Sequence, residues 1–265
     1  MAVETYPHQL APANQDVVIW RFMNMKKFRD LMTTGELYFC RADLFKNDER
    51  EGLPPQRYLA AVLRLNPLLL RDRQTLNHHF GSIAQFRENF YISCWHLFRN
   101  ETDKMWKEYG DDGVSICSQY CLLKSALDTM GDRAFIGLVR YGEQHLRGVV
   151  NLFPFIMTKR AGYEGEQEVR AMLWIMDPLA GINRHIDIEN RAHPLPQGPP
   201  PDRVLKGHKR GVDLQALITK IVVTPWASPA TFDEVNRLVN SNGYTIPVRP
   251  SRLARYRELL PSTRP

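Results

Sequence analysis

The stretch YEGEQEVRAMLWIM, residues 163–176, is the most informative segment of this 265-residue chain. Its second half is apolar at odd and even positions alike, which is the pattern of a β-strand covered on both faces. Its first half instead carries Glu164, Glu166, Glu168 and Arg170 at alternate positions. Since side chains alternate along a strand, three carboxylates are expected side by side on one face, at the start of the strand and next to its buried part.

Two interpretations of this acidic group are open. Neighbouring carboxylates raise one another's pKa and cost stability unless cations or a substrate lie between them. In the structural interpretation, Arg170, Lys159 or Arg160 neutralises the start of the strand. In the functional interpretation, the group belongs to an active site, because clustered and perturbed carboxylates are frequent there.

Two other segments with strand patterns carry a polar residue of interest. Arg21 lies within VVIWRF, residues 17–22, and a guanidinium there needs a carboxylate or the pyrophosphate of a ligand. A structural Arg–Glu pair is equally compatible with this position.

Ser93 shares a face with Tyr91 and Trp95 in FYISCWHL, residues 90–97, and this face could form a pocket for a flat ring and a sugar. The alternative is an aromatic core face that tolerates a serine.

Strand and helix patterns follow one another without a regular βαβ rhythm, which favours an α+β fold with a mixed, mainly antiparallel sheet flanked by helices. Strands are predicted over residues 17–22, 36–41, 90–97, 114–118, 134–141, 168–176, 221–224 and 245–248. Helices are predicted from the Asn24 cap to Gly35 and over residues 54–88, 101–109, 122–130, 214–219 and 232–241. We expect residues 1–193 to form the main domain, with a cleft containing Arg21, Ser93 and Glu168. Residues 194–203 form a proline-rich loop, and residues 204–265 form a C-terminal α/β unit packed on the same domain.

Composition describes an ordinary globular protein, with 43% hydrophobic and 24% charged residues. The formal net charge of +6 permits an anionic partner such as a nucleotide or a nucleic acid without requiring one. The sequence has no signal-peptide pattern and no run near the roughly 18 apolar residues of a membrane helix. With four cysteines and no second Cys/His pair at zinc-ligand spacing, we expect a cytoplasmic protein without a membrane contact or a metal.

Several common catalytic signatures are missing from the sequence. It contains no G-x-G-x-x-G, no Walker-type glycine loop, no G-x-S-x-G and no H-E-x-x-H. Rossmann oxidoreductases, P-loop NTPases, α/β-hydrolases and zincin proteases are therefore disfavoured.

The order of features resembles a bacterial family known only as a domain of unknown function, the one numbered twenty-nine seventy-one. The shared marks lie between residues 17 and 175: Trp20-Arg21-Phe22, Asn47-Asp48 with Glu51-Gly52, Ser93-Cys94-Trp95, Met105-Trp106 with Tyr109, and Lys159 with Tyr163-Glu164-x-Glu166-x-Glu168-x-Arg170. That family has no established activity, so the resemblance implies membership without a mechanism.

The chain is similar, more distantly, to the ADP-ribosyltransferase fold. Those enzymes open with a strand bearing Arg or His, then a short helix and a Gly-Leu-like turn, to which Arg21 and Gly35-Glu36-Leu37 are similar. Their Glu-x-Glu at the mouth of a later strand is matched by Glu166-Gln167-Glu168. Their middle Ser-x-Ser signature is matched only in part, since Trp95 replaces the second serine.

This second resemblance implies NAD-dependent ADP-ribosyl transfer or NAD glycohydrolysis, as in a bacterial toxin or defence effector, with NAD as co-substrate. It implies that Glu168 stabilises the oxocarbenium-like sugar near the ribose 2′-OH and that Glu166 orients or deprotonates the acceptor. The implied cofactor-binding residues are Arg21 on the pyrophosphate or ribose, Ser93 and Trp95 on the nicotinamide side, and Tyr163. The acceptor is left open between a protein and a nucleic acid.

Two other classes of function compete with this one. The +6 charge and the basic segment from Lys206 to Arg210 fit a nucleic-acid-directed protein, either a binder or a Mg²⁺-dependent nuclease. Asp48, Glu51, Glu166 and Glu168 would then be the Mg²⁺ ligands, although the usual catalytic lysine two residues beyond a carboxylate is here Arg170. The third class is a non-catalytic regulator in which Arg21 and Glu168 form a structural pair.

Overall fold

Helices flank a nine-stranded, mainly antiparallel sheet in the part of the chain that the computed structural model describes. The described residues are 3–4, 10–45, 52–53, 60, 64, 87–142, 153–176, 185–186, 196–197 and 205–256. The α+β class and the mainly antiparallel sheet predicted from the sequence are therefore confirmed.

The strands are β1 (Val18–Asn24), β2 (Glu36–Arg41), β3 (Phe90–Leu97), β4 (Gly113–Gln119), β5 (Ala134–Leu138), β6 (Arg140–Tyr141), β7 (Thr158–Lys159), β8 (Glu168–Trp174), β9 (His185–Ile186), β10 (Pro196–Gln197), β11 (Gly207–Gly211), β12 (Lys220–Val223) and β13 (Val248–Pro250). The α-helices are α1 (Met25–Thr34), α2 (Asp103–Tyr109), α3 (Tyr120–Asp128), α4 (Phe153–Ile156), α5 (Leu214–Leu217) and α6 (Pro229–Ser241). Short 3₁₀ helices cover Ala42–Leu44, Arg87–Asn89, Glu164–Glu166 and Arg252–Tyr256.

Helix α1 shows how local signals fix the start of the fold. The Asn24 side chain accepts a hydrogen bond from the backbone N–H of Lys27, and Gly35 ends the helix in the left-handed conformation at φ 67°. Phe28, Leu31 and Met32 recur at helical spacing and are all buried. The helix, its cap and its end are as the sequence predicts.

Strand β3 changes partners along one of its edges, and this opens the sheet. Strand β8 pairs with β3 continuously from Phe90 to His96. On the other edge, β2 pairs with β3 at Tyr91 and Ile92, whereas β1 pairs with it at His96 and Leu97. Strands β1 and β2 therefore diverge from each other beside the middle of β3, and a cleft lies between them.

The two faces of the sheet are covered differently. One face packs on α1, α3, α5 and α6 through a large apolar cluster that includes Ile19, Trp95 and Val169. The other face has two smaller apolar clusters, one around Trp106 of α2 and one around Phe153 of α4. Polar residues of β3 and β8 on this second face provide the chemistry described below.

The C-terminal residues extend the same sheet. Strand β12 pairs antiparallel with β4, and β13 pairs parallel with β12. The strand predicted over 245–248 forms at Val248–Pro250 instead. Strand β11 was missed by the sequence pattern, because GHKRG lacks apolar residues; it pairs antiparallel with β2 at the edge of the sheet. Lysine and arginine are suited to such an edge, because they discourage further strand pairing.

Two further predictions about strands require correction. The strand predicted over 134–141 ends at Leu138, where the Val139 N–H donates to Glu168 O at 2.9 Å and the chain continues into β6. Residues Glu164–Glu166 form a 3₁₀ turn, with Gln167 left-handed at φ 42°, so the three glutamates do not share a strand face. The helix predicted over 54–88 lies almost wholly outside the described residues, as does the proline-rich loop except for β10.

Gly113→Ala should destabilise the fold. A Cβ atom on Gly113 would lie 2.6 Å from Asn24 Cα, so β1 and β4 would have to separate just before α1. We expect the free energy of unfolding, measured by urea denaturation, to fall by about 1–3 kcal/mol. Gly211→Ala is the matched control, since a Cβ there has no heavy atom within 4 Å. Equal stability of the two variants would contradict the described β1–β4 contact.

Candidate active site

The opening between β1 and β2 leads into a cavity of about 810 Å³. This volume is within the range of ligand pockets, roughly 300–1,000 Å³. Three residues selected from the sequence, Arg21, Glu166 and Glu168, line this cavity together. Cys94 and His96 of β3 also contribute to its wall.

Two carboxylates and two cations form one buried cluster in the wall of the cavity. Lys159 Nζ lies 2.5 Å from Glu166 Oε2 and 2.9 Å from Glu168 Oε2. Arg170 Nε donates to Glu168 Oε1 at 2.8 Å, and Arg170 Nη2 donates to Glu168 Oε2 at 3.2 Å. Arg170 Nη1 donates to the carbonyl of Ile156. The four formal charges sum to zero, and Glu168 is only 1% exposed.

The protonation equilibria of this cluster follow from burial and pairing. Burial raises the pKa of Glu168, while Lys159 and a hydrogen bond from the Cys94 thiol oppose the rise. Burial alone would lower the pKa of Lys159, but the neighbouring carboxylates outweigh it, so that pKa is raised. Lys159 is therefore a permanent cation at neutral pH that holds two carboxylates near one point.

An aromatic wall borders Glu166. Tyr109 of α2 donates from its Oη to Glu166 Oε1 at 3.3 Å, and its ring centroid lies 5.4 Å from that of His96. His96 Nδ1 lies 2.9 Å from Glu166 O, and because a carbonyl only accepts, Nδ1 carries the proton. Burial lowers the pKa of His96 to about 4, so the imidazole is neutral at pH 7.

Arg21 bridges the two diverging strands. Its Nη2 donates to the backbone carbonyl of Tyr38 in β2 at 2.8 Å, and its Cζ lies 5.9 Å from the Trp95 ring centroid. Burial lowers its pKa to about 10, which leaves it charged at neutral pH. Within the described residues it forms no ion pair, so the structural Arg21–Glu168 pair is not present.

The remaining predicted residues lie elsewhere. Ser93 and Trp95 point to the opposite face of the sheet, where Trp95 Nε1 donates to Ser93 Oγ at 3.0 Å inside the core. Trp95 thus contacts Arg21 through its ring, but neither Ser93 nor Trp95 lines the cavity. Tyr163 lies beside the cluster, with Lys159 Nζ 5.4 Å from its ring centroid, but it is not part of the cavity wall.

The acidic and basic groups named for other functions also have defined positions. Glu164 is exposed and accepts a hydrogen bond from the Gly162 N–H. Lys209 pairs with Asp30, and Arg210 pairs with Asp132, so two charges of the basic segment are neutralised locally. Asp48 and Glu51 lie outside the described residues.

Sequence reasoning assigned no role in the site to His96 or Cys94, and it noted Tyr109 only as a family mark. Period-two alternation in β3 does place Cys94 and His96 on one face, opposite Ser93. Register then pairs Cys94 with Arg170 and His96 with Glu168 across the sheet. The alternation was visible in the sequence, whereas the partner strand was not.

Comparison of the chain with protein-family models, with curated proteins and with solved structures gave no match. Both resemblances described above therefore stay predictions. None of the helices within the described ranges combines the length and the apolar character needed to cross a membrane. The same ranges contain no group of three or more His, Cys, Asp or Glu residues arranged to hold a metal ion.

Stability should fall on acidification because of His96. Its folded pKa of about 4 lies below the ordinary value of 6.5, so the unfolded chain takes up a proton first as the pH falls. The contribution of the neutral His96 to the free energy of unfolding is complete above pH 6.5 and is lost between pH 6.5 and 4. Between pH 7 and pH 4.5 the loss amounts to about 2–3 kcal/mol.

The measurement compares the parent with His96→Gln, which cannot titrate but can still donate to Glu166 O. Urea unfolding at pH 7 and at pH 4.5 gives the difference in unfolding free energy between the two proteins at each pH. Taking the difference removes the effect of the carboxylates, which titrate in both. Parallel stability curves would refute the neutral, buried imidazole.

Proposed function

We propose that the cavity binds NAD and that the protein cleaves the bond between nicotinamide and ribose, transferring ADP-ribose to an acceptor or to water. The observation that supports this proposal most directly is that Arg21, Glu166 and Glu168 line a single ligand-sized cavity. Arg21 was selected from the sequence independently of the two glutamates, and the three residues come from two strands and a turn.

The chemistry requires a carboxylate near the sugar. When the C1′–N bond breaks, its electron pair leaves with nicotinamide, which departs as a neutral molecule, and positive charge develops on the ribose. An ionised Glu168 stabilises that charge, because a fixed carboxylate in a site shielded from water interacts more strongly than one in solvent. Glu166 then accepts the proton of the attacking hydroxyl, amine or water as the new bond to C1′ forms.

The two cations of the cluster have positioning roles in this scheme. Arg170 contacts both oxygens of Glu168 through a two-pronged hydrogen-bonding arrangement that limits rotation of the carboxylate. Lys159 contacts Glu166 and Glu168 together, and its charge opposes the rise that burial causes in the pKa of Glu168. Binding energy of the substrate must weaken these pairs enough to give the sugar access to Glu168.

Glu168→Gln should abolish most of the activity. The substitution keeps the shape of the side chain and removes its charge, so we expect nicotinamide release from NAD to fall by about 100-fold or more. Glu164→Gln is the matched control, because it makes the same change on an exposed residue of the preceding turn. Circular dichroism and thermal melting establish that both variants are folded. A folded Glu168→Gln protein that releases nicotinamide at the parent rate would refute the catalytic role.

Glu166→Gln should have a smaller effect on bond cleavage. In the proposed sequence of steps, Glu166 acts on the acceptor after positive charge has developed on the ribose. We therefore expect nicotinamide release to fall by roughly tenfold or less, in the same assay and with the same control. A loss as large as that of Glu168→Gln would assign both carboxylates to the cleavage step.

A further inference from the structure

One part of the cavity wall is cationic and separate from the buried cluster. It is formed by Arg21 of β1 and by Lys26 and Lys27 in the first turn of α1, all of which line the cavity. Within the described ranges none of these three cations forms an ion pair with a carboxylate.

The charges that line the cavity can be counted group by group. Lys159, Glu166 and Glu168 of the lining form a neutral group together with Arg170, which is not itself a lining residue, and Lys209 neutralises Asp30. The remaining charged side chains of the described lining are Arg21, Lys26, Lys27 and Glu36. Three positive charges and one negative charge leave a formal excess of +2.

The position of the two lysines is unfavourable for the isolated helix. The first turn of α1 contains no acidic residue, and the positive end of the helix dipole disfavours cations there. Lysines that weaken a helix start, beside a guanidinium that has no carboxylate partner among the described residues, indicate a site shaped by ligand binding. An anion bound between them would reverse the sign of the interaction.

We infer that Arg21, Lys26 and Lys27 form a subsite for a pyrophosphate group, so that the cavity takes ligands of the nucleoside diphosphate class. A pyrophosphate diester carries two negative charges at neutral pH, which equals the formal excess of these four remaining side chains. The planar guanidinium of Arg21 can donate to two phosphate oxygens at once, and the lysines add flexible point charges at the rim. This inference deepens the proposed function and rests on it for the nicotinamide half of the ligand.

A nucleic acid backbone is the competing source of phosphate. Arg21 is only partly exposed and contacts the Tyr38 carbonyl within the cleft, whereas Lys26 and Lys27 are exposed at its edge. A short, doubly charged ligand can reach all three residues inside a cavity of about 810 Å³. The observations therefore favour a small nucleotide.

The test uses ADP as the probe and adenosine as its uncharged counterpart, both titrated calorimetrically into the full chain. The parent should bind ADP at least tenfold more tightly than adenosine. The double variant Lys26→Gln/Lys27→Gln should bind ADP roughly fivefold to tenfold more weakly, with a smaller dependence of affinity on salt. Lys107→Gln/Arg249→Gln removes two positive charges from exposed positions that do not line the cavity, and it should bind ADP like the parent.

The outcomes separate this inference from the proposed function. Failure of the parent to bind ADP, equal affinity in both double variants, or tight binding of a single-stranded oligonucleotide instead of ADP would each overturn the inference. If ADP binds through the lysines but NAD is not cleaved, the subsite stands and the proposed activity falls. If NAD is cleaved with the same KM in Lys26→Gln/Lys27→Gln and in the parent, the activity stands and the subsite falls.

Discussion

The buried cluster of Glu166, Glu168, Lys159 and Arg170 is the constraint on which the arrangement of the site depends. Removing an ion from water costs several kcal/mol, and this cost is recovered only when each charge keeps its partner and its hydrogen bonds. Strand β7, the 3₁₀ turn and strand β8 must therefore keep their relative positions. Loss of one partner would leave an uncompensated charge, at about 3–5 kcal/mol.

The same constraint explains the unusual backbone at Gln167. A left-handed residue that is not glycine costs about 1 kcal/mol or more, and the surroundings have to hold it in place. Here the Gln167 carbonyl accepts from the Leu97 N–H at 2.9 Å, and the Glu166 carbonyl contacts His96 Nδ1. The turn is thus attached to the end of β3 while Glu166 and Glu168 meet at Lys159. The backbone has been bent so that two carboxylates two residues apart can share one cation.

The sequence predicted those elements whose signals are local. Helix α1 has its cap, its apolar spacing and its terminal glycine within twelve residues, and β8 has an apolar run that identifies it as a strand despite its charged start. It could not predict contacts that depend on the partner of a strand: Tyr109 reaches Glu166 across 57 residues and His96 reaches it across 70. It placed Glu166 on a strand face because no residue in YEGEQE marks the turn as strongly as proline would. The edge strand β11 was missed because it has no apolar face: it is held by backbone pairing with β2 and by polar side-chain contacts such as Lys209–Asp30 and Arg210–Asp132.

The division of charge between the two parts of the cavity bears on how one ligand could occupy both. The buried cluster is neutral as it stands, so it attracts a cation only where a paired carboxylate is released from Lys159 or Arg170. The part of the cavity wall formed by Arg21, Lys26 and Lys27 has a net positive charge, needs no such release, and lies partly in solvent. In the proposed reaction, an anionic group should therefore bind first at Arg21 and the two lysines, and the energy of that contact would then be available to separate the buried ion pairs near the sugar. On this proposal, the divergence of β1 from β2 provides the space between an anchoring site that needs no rearrangement and a proposed catalytic site that the bound ligand must complete.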